Sequence, residues 1–485
     1  MSIQSVAALR KLPPRTRAVM GANLISAVGT GLVQPFLVLY LTQVRGLSVG
    51  TATAIISVIA AAALVGGPLA GRLADGFGVR GTAAAAMTSA SVGTAGFALV
   101  TEVWGAVLAG LAYGLAHGAM VSVWNIVIAE RTEGETRSTA FGLQFVALNA
   151  GVGLGGVLGG IFASTADPGR FQLLYVCDGL SFLVAGAVLV LAIGRQRDPV
   201  AAGKGSARAP TTGPASATVP ATGQRGYGVV LRDRGLFKVL VLTVALMVVG
   251  YGQLESSIPG LVAVRGMDAR IMAWAFVANT CCIVLIQFAA ITRISRGRPA
   301  VLLAVTAATW AGCWLLLLLA TVSERTAVEA SLVIGALAVF AVGEALLAVA
   351  LPTLVNNLAH DAVRGRYNGA YSAAMSAGLV LGPLLGGRLL AGGHTWPLAV
   401  VLGLGALACI PGALLLGRQL PQARRVVRVS GDAYDAGNAE ASGAGNVEAS
   451  RAGNEEASRA GNEEASEEPL EVHDQPGRLE SGGVR

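Results

Sequence analysis

Charge is scarce along this chain. Only 13% of its 485 residues are Asp, Glu, Lys or Arg, lysine occurs only at Lys11, Lys204 and Lys238, and aromatics make up 5%. A folded domain in water carries roughly 25% charged residues, so an ordinary soluble protein is excluded. Cysteine is limited to Cys177, Cys281, Cys282, Cys313 and Cys409, all within apolar runs. They have neither metal-ligand spacing nor a loop partner, which excludes a disulfide framework and reads them as small buried hydrophobes. A phosphate-cradling loop of the G-x4-G-K-[ST] kind is absent, and so is any loop grouping of nucleophile, base and metal ligands. An ATP-driven machine and an enzyme are therefore both disfavoured, and no metal or cofactor is expected.

What is abundant is apolar surface: 54% of the chain is hydrophobic, with a mean hydropathy of +0.64. A helix needs about 20 apolar residues to cross the hydrocarbon. Twelve such segments can be cut from the chain, near 18–42, 49–70, 81–101, 104–128, 139–164, 171–194, 236–258, 270–291, 299–321, 327–352, 367–391 and 395–417. The expected fold is all-α and membrane-embedded. Arg10, Lys11, Arg15 and Arg17 precede the first segment, which runs past signal-peptide length and reads as an uncleaved helix. With that terminus inside, the loops assigned to the cytoplasm hold 25 Lys and Arg against 5 on the opposite side. This asymmetry predicts two cytoplasmic termini in a bacterial inner membrane.

The expected layout is a cytoplasmic N-terminus over 1–17, a six-helix bundle over 18–194, a linker over 195–235, a second bundle over 236–418 and a tail over 419–485. Ala, Gly, Pro, Ser and Thr dominate the linker, which suits a flexible cytoplasmic connection. The tail contains the eight-residue repeat AGNAEASG, AGNVEASR, AGNEEASR and AGNEEASE from Ala436, and from 430 onward holds thirteen acids against four arginines. So polar a segment cannot bury a core and is expected to be disordered.

The two bundles repeat each other. Gly142, Gly151, Gly155, Gly159 and Gly160 in the fifth segment have counterparts 227 residues later at Gly369, Gly378, Gly382, Gly386 and Gly387. Glycines at four-residue spacing give a smooth stripe along which another helix can pack at backbone distance. After the second segment stands Gly71-Arg72-Leu73-Ala74-Asp75-Gly76-Phe77-Gly78-Val79-Arg80, which resembles the loop 2-3 motif of the major facilitator superfamily. The fifth segment is similar to the drug/proton antiporter motif G-x8-G-x3-G-P-x2-G-G, with Gly156 in place of its proline; the eleventh repeats the pattern with Pro383 present. The antiporter pattern's arginine in helix 4 is missing, Gly110 or a neighbour standing there. The resemblance covers roughly residues 15 to 420 and implies two pseudo-symmetric six-helix bundles. It also implies that Gly71, Arg72, Asp75, Gly78, Arg80 and Glu130 form a conformational latch between halves in the outward-facing state. The plainer alternative is ordinary positive-inside loop charge.

Ionisable groups in hydrocarbon cost several kcal/mol and are functional candidates by default. Those here are His117, Asp178, Glu255 and Glu344. In the family, helices 1, 4, 7 and 10 line the central cavity. This implies that Glu344, Glu255 and His117 are proton-coupling candidates, His117 near the midplane, Glu255 toward the outer mouth and Glu344 in the cytoplasmic third, and it demotes Asp178 on helix 6. A desolvated carboxyl holds its proton more tightly and can exchange it near neutral pH; the bland alternatives are a snorkelling acid and a packed neutral imidazole. Asn23, Gln34, Trp124, Asn125, Tyr251 and Gln253 are the substrate-cavity candidates. Sparse polar groups among apolar walls suit a small amphiphilic solute. The expected function is proton-driven efflux of such compounds by a functional monomer in the lipid bilayer, with no nucleic-acid partner. The alternatives are proton-coupled uptake of a metabolite and a non-transporting membrane sensor or scaffold.

Overall fold

The computed structural model describes residues 13–132, 134–165, 167–194, 233–294, 297–359 and 364–420. The expected linker lies almost wholly outside them, and the acidic repeats of the tail do so entirely. Twelve helices follow one another: α1 Pro14–Val44, α2 over 49–77 and α3 over 79–98, α4 Val103–Arg131, α5 Gly134–Phe162, and α6 Pro168–Ile193. After the linker come α7, Arg234–Leu254 continued by Ser257–Val264, α8 Ala269–Ile294, α9 Pro299–Val322, α10 Thr326–Leu358, α11 Arg364–Leu390 and α12 Trp396–Gln419. Each overlaps one of the twelve expected segments.

One element differs in kind. Val49–Ala98 is hydrogen-bonded as a single 50-residue helix, yet Gly78 within it has φ 76° and ψ 157°. That left-handed backbone suits glycine alone, and it turns the chain back. As a result α2 runs parallel to α4, with Ile59 against Gly114 and Ala63 against Gly118, while α3 runs antiparallel to it, with Gly93 against Tyr113. The motif glycine is thus the hairpin point between two spans.

The repeated glycines set the helix packing, twice and alike. Gly151, Gly155 and Gly159 of α5 lie against Leu24 to Phe36 of α1, and any Cβ on them would strike that helix. Gly378, Gly382 and Gly386 of α11 do the same to α7, from Val244 to Ser257. The adjacent glycines reach across the halves: Gly160 meets Ala273 of α8, and its repeat Gly387 meets Gly50 and Thr53 of α2. At buried Gly156, where the family has proline, a side-chain carbon would meet only the Gly31 carbonyl oxygen, at 3.9 Å. Pro383 lies within α11, and Gly142 lies in α5 outside the residues whose surroundings are described.

Two of the five cysteines depart from the expectation of burial, for Cys177 and Cys281 are exposed, Cys282 is half-buried and Cys313 and Cys409 are buried. Apolar surroundings on a membrane helix are lipid as often as protein, so hydropathy does not distinguish the two.

Candidate functional site

Prolines place the first pair of groups. Pro35 cannot donate to the Gly31 carbonyl, nor Pro259 to that of Glu255, so each helix loses a rung of its ladder. In α1 the turn Gln34–Phe36 tightens to a 3-10 helix. In α7 a π-turn over Met247–Tyr251 is followed by a break at Glu255 and Ser256. The two irregular turns face each other, and Gln34 Nε2 donates to Glu255 Oε2 at 2.5 Å, from one bundle to the other.

The second pair rests on a tryptophan wedge. Trp310 of α9 is fully buried, stacks on Phe340 at 4.9 Å between ring centroids, and occupies the space left by Gly250 of α7 and Gly343 of α10. The residue after each glycine then points away from the wedge: Tyr251 on α7 and Glu344 on α10. Tyr251 donates its hydroxyl to Glu344 Oε1 at 2.5 Å, and Asn279 Nδ2 of α8 donates to Oε2 at 3.3 Å. Tyr251 lies within electrostatic range of both Glu344 and Glu255. The two acids, expected at different depths, therefore belong to one half-buried group at the meeting of α1, α7, α8 and α10.

The other expected residues divide. Asn23 is 3% exposed and bonds the Gln144 carbonyl of α5 at 3.3 Å, and Gln253 is 0% exposed and bonds the carbonyls of Val248 and Gly382 at 2.6 and 2.9 Å. Both amides sit in helix seams and do not reach a cavity, because each takes up backbone carbonyls beside the glycine stripes. Trp124 packs in the apolar core of the first bundle, and Asn125 is half-buried beside it. His117 is half-buried, its ring 5.8 Å from that of Tyr113, and it bonds neither acid. Asn279 was missed by reading only the cavity helices 1, 4, 7 and 10; its signal was an amide inside the apolar run of α8.

The loop 2-3 residues are not assembled. Gly71, Arg72 and Asp75 lie in the last turns of α2, Gly78 is the turn itself, Arg80 begins α3, and Glu130 is exposed in the last turn of α4; among the described residues none of these charges has an ion pair. Hydrogen bonds that do join the bundles include Gln34 to Glu255, Gln43 to the Ala263 carbonyl and Ser57 to the Val380 carbonyl. All three lie toward the face at which α1 ends, so the molecule is closed there and the loop 2-3 charges at the other face are unengaged. On that other face Asp233 caps α7. Partial burial works against its charge, but the Tyr367 hydroxyl and the N–H groups of Leu236 and Gly235 outweigh it and hold the carboxyl below its usual range.

Two bundles of six spanning helices, related by an internal repeat and meeting around buried carboxylates, define a membrane transporter of the rocking kind. The profile of the Major Facilitator Superfamily matches residues 19–341 and 296–449, and the chain belongs to that family. It is 24% identical over 368 residues to the uncharacterized MFS-type transporter YqjV of Bacillus subtilis, covering 74% of this chain and 82% of that protein. It is also 29% identical over 172 residues to the class C tetracycline resistance protein of Escherichia coli, covering 34% of this chain and 42% of that protein. Among solved structures, the nucleoside transporter NupG aligns with a TM-score of 0.64 at 13% identity over 82% of this chain and 99% of that one. A bacterial homolog of the lysosomal transporter Spinster, inward-facing and occupied, aligns with a TM-score of 0.59 at 14% identity over 84% and 97%.

Proposed function

We propose that this protein exports small hydrophobic or amphiphilic compounds from a bacterial cell in exchange for protons, with Glu344 as the main coupling acid and Glu255 as the second. The observation that carries the reading is the closeness of these two carboxylates, Glu344 bonded by Tyr251 and both within its electrostatic range, at the seam where Gln34 ties one bundle to the other. A carboxylate accepts a stronger hydrogen bond than a neutral acid does, so an ionised Glu255 favours the closed outer face. Protonation weakens that tie, so the proton state of the acid and the opening of the outer face are linked. Opening to the cytoplasm lets the proton leave and substrate take its place, so each half of the cycle carries one of them. With both termini cytoplasmic, the face closed here is the outer one, and the loop 2-3 latch is released because the molecule faces inward. The partial likeness to a tetracycline resistance protein supports export over uptake.

The test uses proteoliposomes with an imposed pH gradient and an amphiphilic dye such as ethidium. Glu344→Gln keeps size and hydrogen bonding but fixes the neutral form, and it is expected to abolish gradient-driven export while leaving dye binding largely intact. Accumulation running with the proton instead of against it would make the protein an uptake system. For the topology, reporter fusions after Gly205 and after Gly431 are expected to report the cytoplasm; periplasmic activity at either would overturn it.

A further inference from the structure

The first bundle contains an acid that the coupling pair does not use. Asp178 of α6 is 0% exposed. Its Oδ1 lies 3.3 Å from the Ser181 hydroxyl, which donates at 2.8 Å to the Asp178 carbonyl; the Thr94 hydroxyl is the carboxyl's other side-chain neighbour, and the buried Oδ2 has no partner at hydrogen-bond distance. The groups facing it can be named helix by helix. From α1 come Gly29, whose missing side chain makes room for Asp178 Oδ1 and Ser181 Oγ, and Thr30, which partners Tyr113. Thr94 comes from α3, Tyr113 from α4 with His117 behind it, and Tyr175 from α6 itself. No cation pairs with it among the described residues. An ionised carboxylate with one oxygen unsatisfied in such a place would carry its full desolvation cost, whereas the neutral acid would not.

Two further tyrosines, Tyr175 and Tyr113, lie near this acid. Tyr175 is 2% exposed and its hydroxyl is also unpartnered. Its ring lies 4.7 Å from that of Tyr40, whose hydroxyl accepts from Arg45 Nε at 2.6 Å at the face where α1 ends. Tyr113 is within electrostatic range of both Asp178 and Glu255. Helix α1 therefore touches both sites, through Gly29 at Asp178 and through Gln34 at Glu255.

We propose that Asp178 is a second proton-binding site, sealed inside the first bundle, which holds its proton while α1 is packed on α6 and exchanges it when the bundles rock and α1 shifts. The exchange moves a proton between the carboxyl and water, with no other bond changed. This inference rests on the proton-coupled reading above, and its test separates the two. Infrared titration of the purified full-length protein in lipid nanodiscs, made with isotope-labelled aspartate, reads the carbonyl stretch of a protonated aspartic acid without any mutation. The expected result is a labelled band present at neutral pH and lost on the alkaline side, absent in Asp178→Asn and retained in Glu255→Gln and Glu344→Gln. In the ethidium assay, Asp178→Asn is expected to weaken the dependence of export on the pH gradient. A band absent at neutral pH, a band unchanged at every pH, or one removed by sodium at constant pH would each overturn the proposal. Gradient-insensitive export by the wild type would sink the coupling reading and leave the infrared result to decide Asp178.

Discussion

The two bundles share their packing and differ in their buried acids. In both, a glycine-striped helix, α5 or α11, lies at backbone distance along an irregular one, α1 or α7, and offers one further glycine to the opposite bundle. The second bundle places Glu344 and Glu255 where they are half-buried and bonded by Tyr251, Asn279 and Gln34. The first places Asp178 in its sealed interior and leaves α4 with His117 and Asn125. Duplication thus preserved what holds helices together, because a lost glycine at such a seam leaves no room for repacking. The polar groups differ: the second bundle holds two half-buried acids and the first a single sealed one among the described residues.

The largest effect should come from breaking the shared part. Gly155→Leu and Gly382→Leu each drive a side chain into a neighbouring backbone, and both are expected to abolish recovery of folded protein from the membrane. Gly156→Leu, where the nearest atom is 3.9 Å away, is expected to be recovered normally; size-exclusion profiles of detergent extracts check all three. Next comes the unshared part. Asn279→Ala removes one donor to Glu344 and should shift the pH dependence of export toward alkaline values, because the neutral acid gains relative to the ion, while Asn279→Asp should impair coupling far more by placing like charges together.

These residues also show how far the sequence could be read. Helix number, the repeat and its glycines followed from composition and spacing alone, since hydrocarbon demands apolar length and close packing demands the absence of a side chain. The motif at Gly78 was visible, though its left-handed turn was not. The acids were found because ionisable residues stand out in apolar runs, but the partners of Glu344 depend on how α8 is rotated, and no periodicity fixes that. The seam positions of Gln253 and Asn23 were hidden for the same reason: an amide in a helix seam and an amide on a cavity wall have the same sequence signature.

A smaller effect is expected at the cap of α7. Asp233→Ala removes the acceptor for two backbone N–H groups and the Tyr367 hydroxyl, at a cost of about 1 kcal/mol. Because the folded state holds this carboxyl below its usual range, the stabilisation is present above the unfolded pKa and is lost as pH falls through the folded one. The gap between mutant and wild-type melting temperatures should therefore be full at neutral pH and close in acid. The smallest effect in the form described here belongs to Asp75→Asn, which should leave this form unchanged and, by loosening the latch of the outward-facing state, disfavour that state and slow turnover; turnover equal to the wild type would reduce Asp75 to a loop charge.

The central claim is that the carboxylates of the second bundle couple protons to substrate. The most direct measurement is dye export by Glu344→Gln and Glu255→Gln in proteoliposomes, with the pH gradient imposed and then collapsed. The account predicts that wild-type export stops when the gradient collapses, that Glu344→Gln shows no gradient-driven component, and that Glu255→Gln retains part of it. Export by both mutants at the wild-type rate with the same gradient dependence would contradict it.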